Sequence, residues 1–165
     1  MNIAVRWTVP EDAPKLADIQ REAFLPMYEK YKDSDNPCLR GKEDILPRLL
    51  LRQRFLYFTI LIDDEIAGGI LYRRVGNGLF FRELNKGEYY LQRVYVAPGA
   101  QRSGVAKESL RQCESILRDA NAFFVDFPTD MSSNKKFFES VGFKDTGKRY
   151  EVASGMLHAF YKKSV

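Results

Sequence analysis

The sequence has few of the residues that bind metals or form disulfides. Its 165 residues include two cysteines, Cys38 and Cys113, and one histidine, His158. Two cysteines without C-x-x-C spacing are too few for a disulfide framework, which favours a protein from a reducing compartment. A single histidine excludes a His-rich zinc site and gives little support to a Ser-His-Asp triad. We therefore expect no metal, and we interpret His158 as a strand residue packed against its neighbours.

Long apolar runs are also absent, and the first residues contain no apolar stretch behind a basic cluster. Since a bilayer span needs about 20 apolar residues, we expect a soluble, cytoplasmic protein with no membrane partner. Lys and Arg exceed Asp and Glu by 26 to 22, with a pI near 9.0, but the charges are interspersed. No basic arm or base-reading motif is present, so no nucleic-acid partner is expected. The excess fits a small polyanionic ligand or a solvated surface.

The length and the 45% hydrophobic content predict a single domain over residues 1–165. The oligomeric state stays open, with a homodimer among the alternatives. Apolar residues at helical spacing predict one helix over 10–24 and another over 41–53, with an ordered loop over 25–41 between them.

Aromatic and β-branched runs predict strands, and a hairpin turn falls at Asp63 and Asp64. Gly68 and Gly69 predict a bulge or a close approach of another backbone. The predicted strands have the sequences FLYFTILID (55–63), EIAGGILYRRV (65–75), GEYYLQRVYV (87–96), AFFVDF (122–127) and GMLHAFYKK (155–163).

The stretch APGAQRSGVAKESL (97–110) joins a strand to an amphipathic helix predicted over 104–120. The strand, turn, helix and following strand form a β-α-β unit. Because the first turn of a helix has unpaired N–H groups and a partial positive charge, it attracts phosphate. Gly104 and Ala106 leave room for close approach, and Gln101, Arg102 and Ser103 supply further donors. Val105 and Ala106 replace the Lys and Ser or Thr of a P-loop, which argues against nucleoside triphosphate hydrolysis.

The segment VYVAPGAQRSGVA resembles motif A of the GNAT N-acetyltransferase superfamily, with Gln101, Gly104 and Ala106 at its signature positions. NKKFFESVGF (134–143) is similar to motif B of the same superfamily. The resemblance implies an α+β (mixed α/β) fold, in which a mixed sheet, flanked by helices on both faces, is splayed between its fourth and fifth strands. It also implies acetyl-CoA as co-substrate, bound by Val94, Tyr95, Val96, Gln101, Arg102, Ser103, Gly104, Val105, Ala106, Asn134 and Phe138.

The implied reaction is direct attack of a primary amine on the thioester, with backbone N–H groups of a bulged strand stabilising the oxyanion. The motif B tyrosine that protonates the leaving thiolate in many members is replaced by Phe138. With a thiol pKa of about 8.5 the thiolate can leave unprotonated, or water or another tyrosine such as Tyr150 can take that role. The glutamate that histone-type members of the family carry on the fourth strand matches Tyr90, and Gln92 cannot act as a base. Glu88 and Glu83 remain as candidate bases, with Asp126 at the end of the fifth strand, although each carboxylate also fits a solvated or structural position.

The resemblance places the acceptor beside the loop between the first two helices. We expect Tyr28, Tyr31, Asp33 and Asp126 to bind a small-molecule or peptide amine through aromatic faces and carboxylates. The simpler alternative is a solvated loop whose tyrosines pack on the core. The missing tyrosine and glutamate also keep a second interpretation open, a non-catalytic sensor or regulatory module that binds acetyl-CoA or CoA.

Overall fold

The computed structural model describes residues 1–74, 82–152 and 155–165. Its helices and strands are β1 (Ile3–Trp7), α1 (Ala13–Tyr31), α2 (Lys42–Leu49), β2 (Phe55–Ile62), β3 (Glu65–Arg73), β4 (Glu88–Val96), α3 (Val105–Ile116), β5 (Ala122–Pro128), α4 (Ser132–Ser140), β6 (Lys144–Glu151) and β7 (Leu157–Ser164). Within these ranges, every helix is too short or too polar to cross a lipid bilayer.

The strands form one seven-stranded sheet in the order β1-β2-β3-β4-β5-β7-β6. All neighbours are antiparallel except β4 and β5, which run parallel and pair only from Glu88↔Ala122 to Tyr90↔Phe124. Beyond Tyr90 the two strands share no further pair. The sheet therefore splits between its fourth and fifth strands, which confirms the fold expected from the motifs.

Helices cover both faces of the sheet. On one face, α1 and α2 pack with Leu16 and Ile45 against Tyr57, Leu71 and Tyr95 of the strands. On the opposite face, α3 and α4 bury Leu110, Cys113 and Phe138 in a larger cluster of aromatic and aliphatic side chains. Both free cysteines are buried, as expected for Cys113.

Two local backbone features follow from the sequence. Asp63 and Asp64 have φ angles of 48° and 69°, the left-handed pair that a two-residue hairpin of type I′ requires. A Cβ placed on Gly68 would lie 2.1 Å from the carbonyl oxygen of Tyr95. The predicted hairpin and the predicted close approach of a second backbone are therefore both confirmed.

The strand β4 contains a bulge at the point where it leaves β5. Leu91 pairs with Tyr72 and Arg93 pairs with Leu71, so Gln92 is an extra residue with no partner residue on β3. A bulge interrupts the alternation of side chains and leaves backbone groups out of the ladder. The bulge at Gln92 thus lies beside the split in the sheet.

Some predicted boundaries are wrong. The first helix continues through Pro26 to Tyr31, so residues 25–31 of the predicted loop are helical. Lys32 caps the helix with a left-handed backbone, at φ of 54°. The second helix ends at Leu49 rather than near 53. The strands β1 and β6 were not assigned from their sequences, and the last residue of the predicted strand over 65–75 lies outside the described residues.

Candidate functional site

The turn after β4 has a glycine because its backbone is left-handed. Gly104 directly precedes α3 and has φ of +81°, a conformation that residues with a Cβ adopt at a cost. A Cβ built at this position meets no atom within 4 Å. The glycine therefore serves the backbone and leaves open space in front of the first turn of α3, where N–H groups lack intrahelical partners.

Side chains of the turn brace it from within. The Nε2 of Gln101 donates to the carbonyl of Val96 at 2.9 Å, and the Oγ of Ser103 donates to the carbonyl of Ala100 at 2.6 Å. Arg102 is exposed and has φ of 62°. The side chains of Gln101 and Ser103, which were predicted to donate to a ligand, therefore donate to carbonyl groups of the protein instead. The turn can bind an anion through its backbone N–H groups and the side chain of Arg102.

The last residues of β4 offer a free backbone edge next to this turn. Val94, Tyr95 and Val96 pair with β3 on one side, through Ile70, Gly69 and Gly68. On the other side, the described part of β5 pairs with β4 only as far as Tyr90. An extended ligand with amide groups can bond to such an edge as an added strand does.

A cavity of about 440 Å³ lies at the start of the split, on the face that carries α1 and α2. Three segments form its wall: the connection after α1, the bulged part of β4, and the β6–β7 region. The lining residues are Lys32, Asp33, Ser34, Asp35, Pro37, Tyr90, Gln92, Arg93, Val152, Met156 and His158.

Asp126 on β5 lies behind this wall and joins three strands. Its carboxylate accepts a 2.7 Å hydrogen bond from Nδ1 of His158 and hydrogen bonds from the hydroxyls of Tyr90 and Tyr150. Burial raises the pKa of Asp126, but the hydrogen bonds from His158, Tyr150 and Tyr90 outweigh it, and the net pKa is lowered. Asp126 is therefore a buried anion at the split.

The two tyrosines of this cluster are held as neutral donors. Burial and the adjacent Asp126 charge raise the pKa of Tyr90 and of Tyr150 above the ordinary range. A hydroxyl that donates to Asp126 has its proton committed. Tyr150, the predicted proton donor to the thiolate, therefore stabilises the Asp126 carboxylate by a hydrogen bond.

Two polar atoms of the cavity residues lack partners. Within the part of the chain that the structure describes, the buried Oε1 of Gln92 and Nε2 of His158 have no hydrogen-bond partner. Because an ionised carboxylate only accepts hydrogen bonds, Nδ1 of His158 carries the proton that is shared with Asp126. In the neutral ring Nε2 is then an acceptor, so both unpartnered atoms can accept a hydrogen bond.

The predicted bases Glu88 and Glu83 do not fit a role in the cavity. Glu88 is buried at the opposite, paired end of β4, where it accepts hydrogen bonds of 2.6 and 2.7 Å from Arg82 and one of 2.7 Å from the backbone of Asn85. The hydrogen bond from Arg82 is the main reason that the pKa of Glu88 is lowered. Glu83 is exposed, and neither residue lines the cavity.

The motif B residues are placed in two environments. Phe138 is 4% exposed and stacks on Phe127 with 5.5 Å between ring centroids, with edge contacts to Phe137 and Phe143. It is thus a core residue, and its predicted cofactor contact is not supported by this packing. Asn134 is partly exposed on the first turn of α4.

The predicted acceptor residues are only partly brought together. Asp33 lines the cavity and Asp126 lies behind its wall, whereas Tyr28 and Tyr31 are absent from the lining. Tyr31 donates to Asp130 at 2.5 Å, and Nζ of Lys32 lies 5.4 Å from the ring centre of Tyr28. Sequence reasoning missed Gln92 and His158 as cavity residues.

The split sheet, the glycine turn and the cavity define the fold class that the motifs indicated, a mixed α/β acyltransferase fold. The chain belongs to the Acetyltransferase (GNAT) family, whose sequence profile matches residues 14–143. No curated protein sequence matches the chain significantly.

Solved structures agree with this assignment of the fold. The chain is similar to the PaiA N-acetyltransferase of Thermoplasma acidophilum, solved in complex with coenzyme A, with 18% identity, full coverage of both chains and a TM-score of 0.77. It is also similar to the ribosomal-protein-S18-alanine N-acetyltransferase of Escherichia coli, with 14% identity, 99% and 94% coverage and a TM-score of 0.72. A ribosomal-protein-alanine N-acetyltransferase of Brucella melitensis matches with 18% identity, 98% and 99% coverage and a TM-score of 0.72.

Proposed function

We propose that the protein transfers an acetyl group from acetyl-CoA to a primary amine of a small molecule or peptide, by direct attack of the amine on the thioester. The observation that carries the proposal is the meeting of two features at the bulge of β4. The free strand edge begins there, and the cavity with its unpartnered acceptors opens there.

The cofactor side is supported by the turn and the free edge. The pyrophosphate of acetyl-CoA would bind at the open first turn of α3, beside Gly104 and Arg102. The amide groups of its pantetheine arm would bond to the edge at Val94 and Val96. The bulge at Gln92 interrupts the ladder, and a backbone N–H group of the bulged segment would stabilise negative charge on the thioester oxygen during attack.

The acceptor side is supported by the chemistry of the cavity wall. Gln92 Oε1 and His158 Nε2 need donors, and Asp33 adds negative charge at the rim. The guanidinium of Arg93 is hydrogen-bonded to Asp44, a carboxylate that it shares with Arg48. An amine, with its N–H groups and tendency to be cationic, satisfies these groups better than a carboxylate or phosphate does.

The decisive experiment incubates the purified protein with acetyl-CoA and a panel of polyamines, amino acids, aminoglycosides and short peptides. We expect CoA thiol release that depends on one amine class, and a matching acetylated product by mass spectrometry. Both cysteines of the protein are buried, so their contribution to a thiol reagent signal is low. Calorimetric binding of CoA without transfer to any amine class would instead support the sensor or regulatory module.

A further inference from the structure

We infer that Nε2 of His158 is the general base that removes the proton from the attacking amine, and that Asp126 is the positioning residue that holds the ring in the required tautomer. This inference rests on the proposed acetyl transfer. It assigns a role to the single histidine, which the sequence indicated only as a packed strand residue.

The geometry fixes which nitrogen is available. Nδ1 of His158 is 2.7 Å from Oδ2 of Asp126, and this carboxylate also accepts from the hydroxyls of Tyr90 and Tyr150. With three donors around one carboxylate, the proton of the neutral ring stays on Nδ1. The lone pair then lies on Nε2, as in other pairs in which a carboxylate orients a catalytic imidazole.

The surroundings of Nε2 leave it available to a ligand that enters the cavity. The atom is buried and has no partner among the described residues, although the His158 ring lines the cavity. Leaving a buried polar atom unpaired costs about 1–3 kcal/mol. An amine N–H that enters the cavity removes this cost, and Gln92 Oε1, unpartnered on the same cavity wall, accepts a second N–H.

The charged groups around His158 are compatible with its role as base. From β5 it meets the anion Asp126 and from β6 the neutral Tyr150. The neutral Tyr90 of β4 donates to the same carboxylate and lines the same cavity. Across the cavity lie Lys32, Asp33, Asp35 and Arg93. Arg93 shares the carboxylate of Asp44 with Arg48, and Asp35 lies 3.9 Å from Arg40. This side of the cavity therefore holds two cations and two carboxylates, a balanced set that does not exclude a cationic acceptor.

The proton balance closes without any further reactant. An alkyl amine has a pKa of about 10.4, so its ammonium first loses one proton to water, and the Nε2 lone pair of a neutral imidazole can then act as the base. As the bond from nitrogen to the acetyl carbon forms and the carbon–sulfur bond breaks, the second proton passes from nitrogen to Nε2. The thiolate leaves, and the imidazolium returns its proton to the thiolate or to solvent.

The test compares the wild-type protein with His158→Gln and His158→Ala over a pH series, using the amine identified in the acceptor screen. We expect His158→Gln to lower kcat by about 10²- to 10⁴-fold, the usual contribution of a general base, with little change in the calorimetric affinity for CoA. The decline of kcat/KM on the acidic side should disappear, and added imidazole should restore part of the activity of His158→Ala.

Wild-type rates in His158→Gln, or an acidic limb unchanged by this substitution, would overturn the assignment of the base. A loss of kcat with an unchanged pH profile and no rescue by imidazole would likewise overturn it, since this pattern indicates a structural role. If wild-type protein releases no thiol with any amine, the proposed function fails instead, so the two failures are distinguishable. Asp126→Asn gives a second measurement, with an expected drop in kcat and an altered acidic limb while His158 is intact.

Discussion

The guanidinium of Arg93 on β4 is hydrogen-bonded to the carboxylate of Asp44 on α2, and both side chains are nearly buried. Arg93 also donates to Gln20 on α1 at 3.1 Å, so the pair ties both helices to the strand that borders the cavity. Removing one partner of a buried pair leaves an uncompensated charge. We expect Asp44→Asn to lower the free energy of unfolding by about 3–5 kcal/mol, measured by denaturant titration. The exposed Asp18→Asn is the control and should change it little.

Acid should weaken the same contact. Burial raises the pKa of Asp44, but hydrogen bonds and charge from Arg93 and Arg48 outweigh it and lower the folded-state pKa. Because the folded pKa is below the unfolded one, the stabilisation is complete above about pH 4 and is lost as pH falls through the folded pKa. We expect the stability of wild type to decline at low pH more steeply than that of Asp44→Asn. Parallel curves for the two proteins would contradict this.

Gly104 and Gly147 provide a matched pair for testing the phosphate turn. Their φ angles are +81° and +82°, and a Cβ at either position meets nothing within 4 Å. Alanine at each should cost a similar amount of stability, about 1 kcal/mol. We expect Gly104→Ala to weaken CoA binding in calorimetry at least tenfold, because its methyl group occupies the space before α3, while Gly147→Ala binds normally. Equal affinities in both variants would move the phosphate site away from this turn.

Phe138→Tyr tests whether motif B can regain a proton donor. The aromatic packing around Phe138 leads us to expect a buried hydroxyl without a partner, with a loss of about 1–3 kcal/mol in stability and no gain in turnover. Phe137→Tyr, at a partly exposed position, should cost less. A faster reaction in Phe138→Tyr, greatest below the thiol pKa, would show instead that the hydroxyl reaches the leaving thiolate.

Asp33 is the predicted acceptor residue that lines the cavity from the α1–α2 connection. We expect Asp33→Asn to raise the KM for a cationic amine about two- to tenfold, since the attraction of one partly exposed charge is worth about 1 kcal/mol. The KM for acetyl-CoA should stay constant. Asp18→Asn removes the same charge from an exposed part of α1 and serves as control. Equal shifts for both substrates would remove Asp33 from the acceptor site.

Much of the fold was predictable because local signals agreed with tertiary structure. The strand–turn–helix around Gly104 combines a β-rich run, a glycine with left-handed backbone and an amphipathic helix, and each signal lies within a few residues. Errors arose where tertiary packing overrode a local rule. Residues 25–41 were predicted as a loop, but α1 continues through Pro26 to Tyr31. The short strand β1, which pairs with β2, has too few residues for a clear periodic pattern.

The centre of the candidate site was not predictable in the same way. Asp126 and His158 are 32 positions apart and meet because β5 and β7 are neighbours that pair Asp126 with Phe160 and Pro128 with His158. Only a correct register would have shown that both side chains lie on one face. Glu88 was predicted as a candidate base from its position near Tyr90. Its sequence position gave no sign that Arg82 and Asn85 would bind its carboxylate.

The short stretch over which β4 and β5 pair affects the stability of the folded state. Three residue pairs join these strands, so the two halves of the sheet share little backbone bonding across the split. A ligand that bonds to the free edge of β4 does so only in the folded state, and it stabilises that state by about 2.7 kcal/mol at a concentration 100 times its Kd. The amount of folded protein in a cell would then depend on the supply of that ligand.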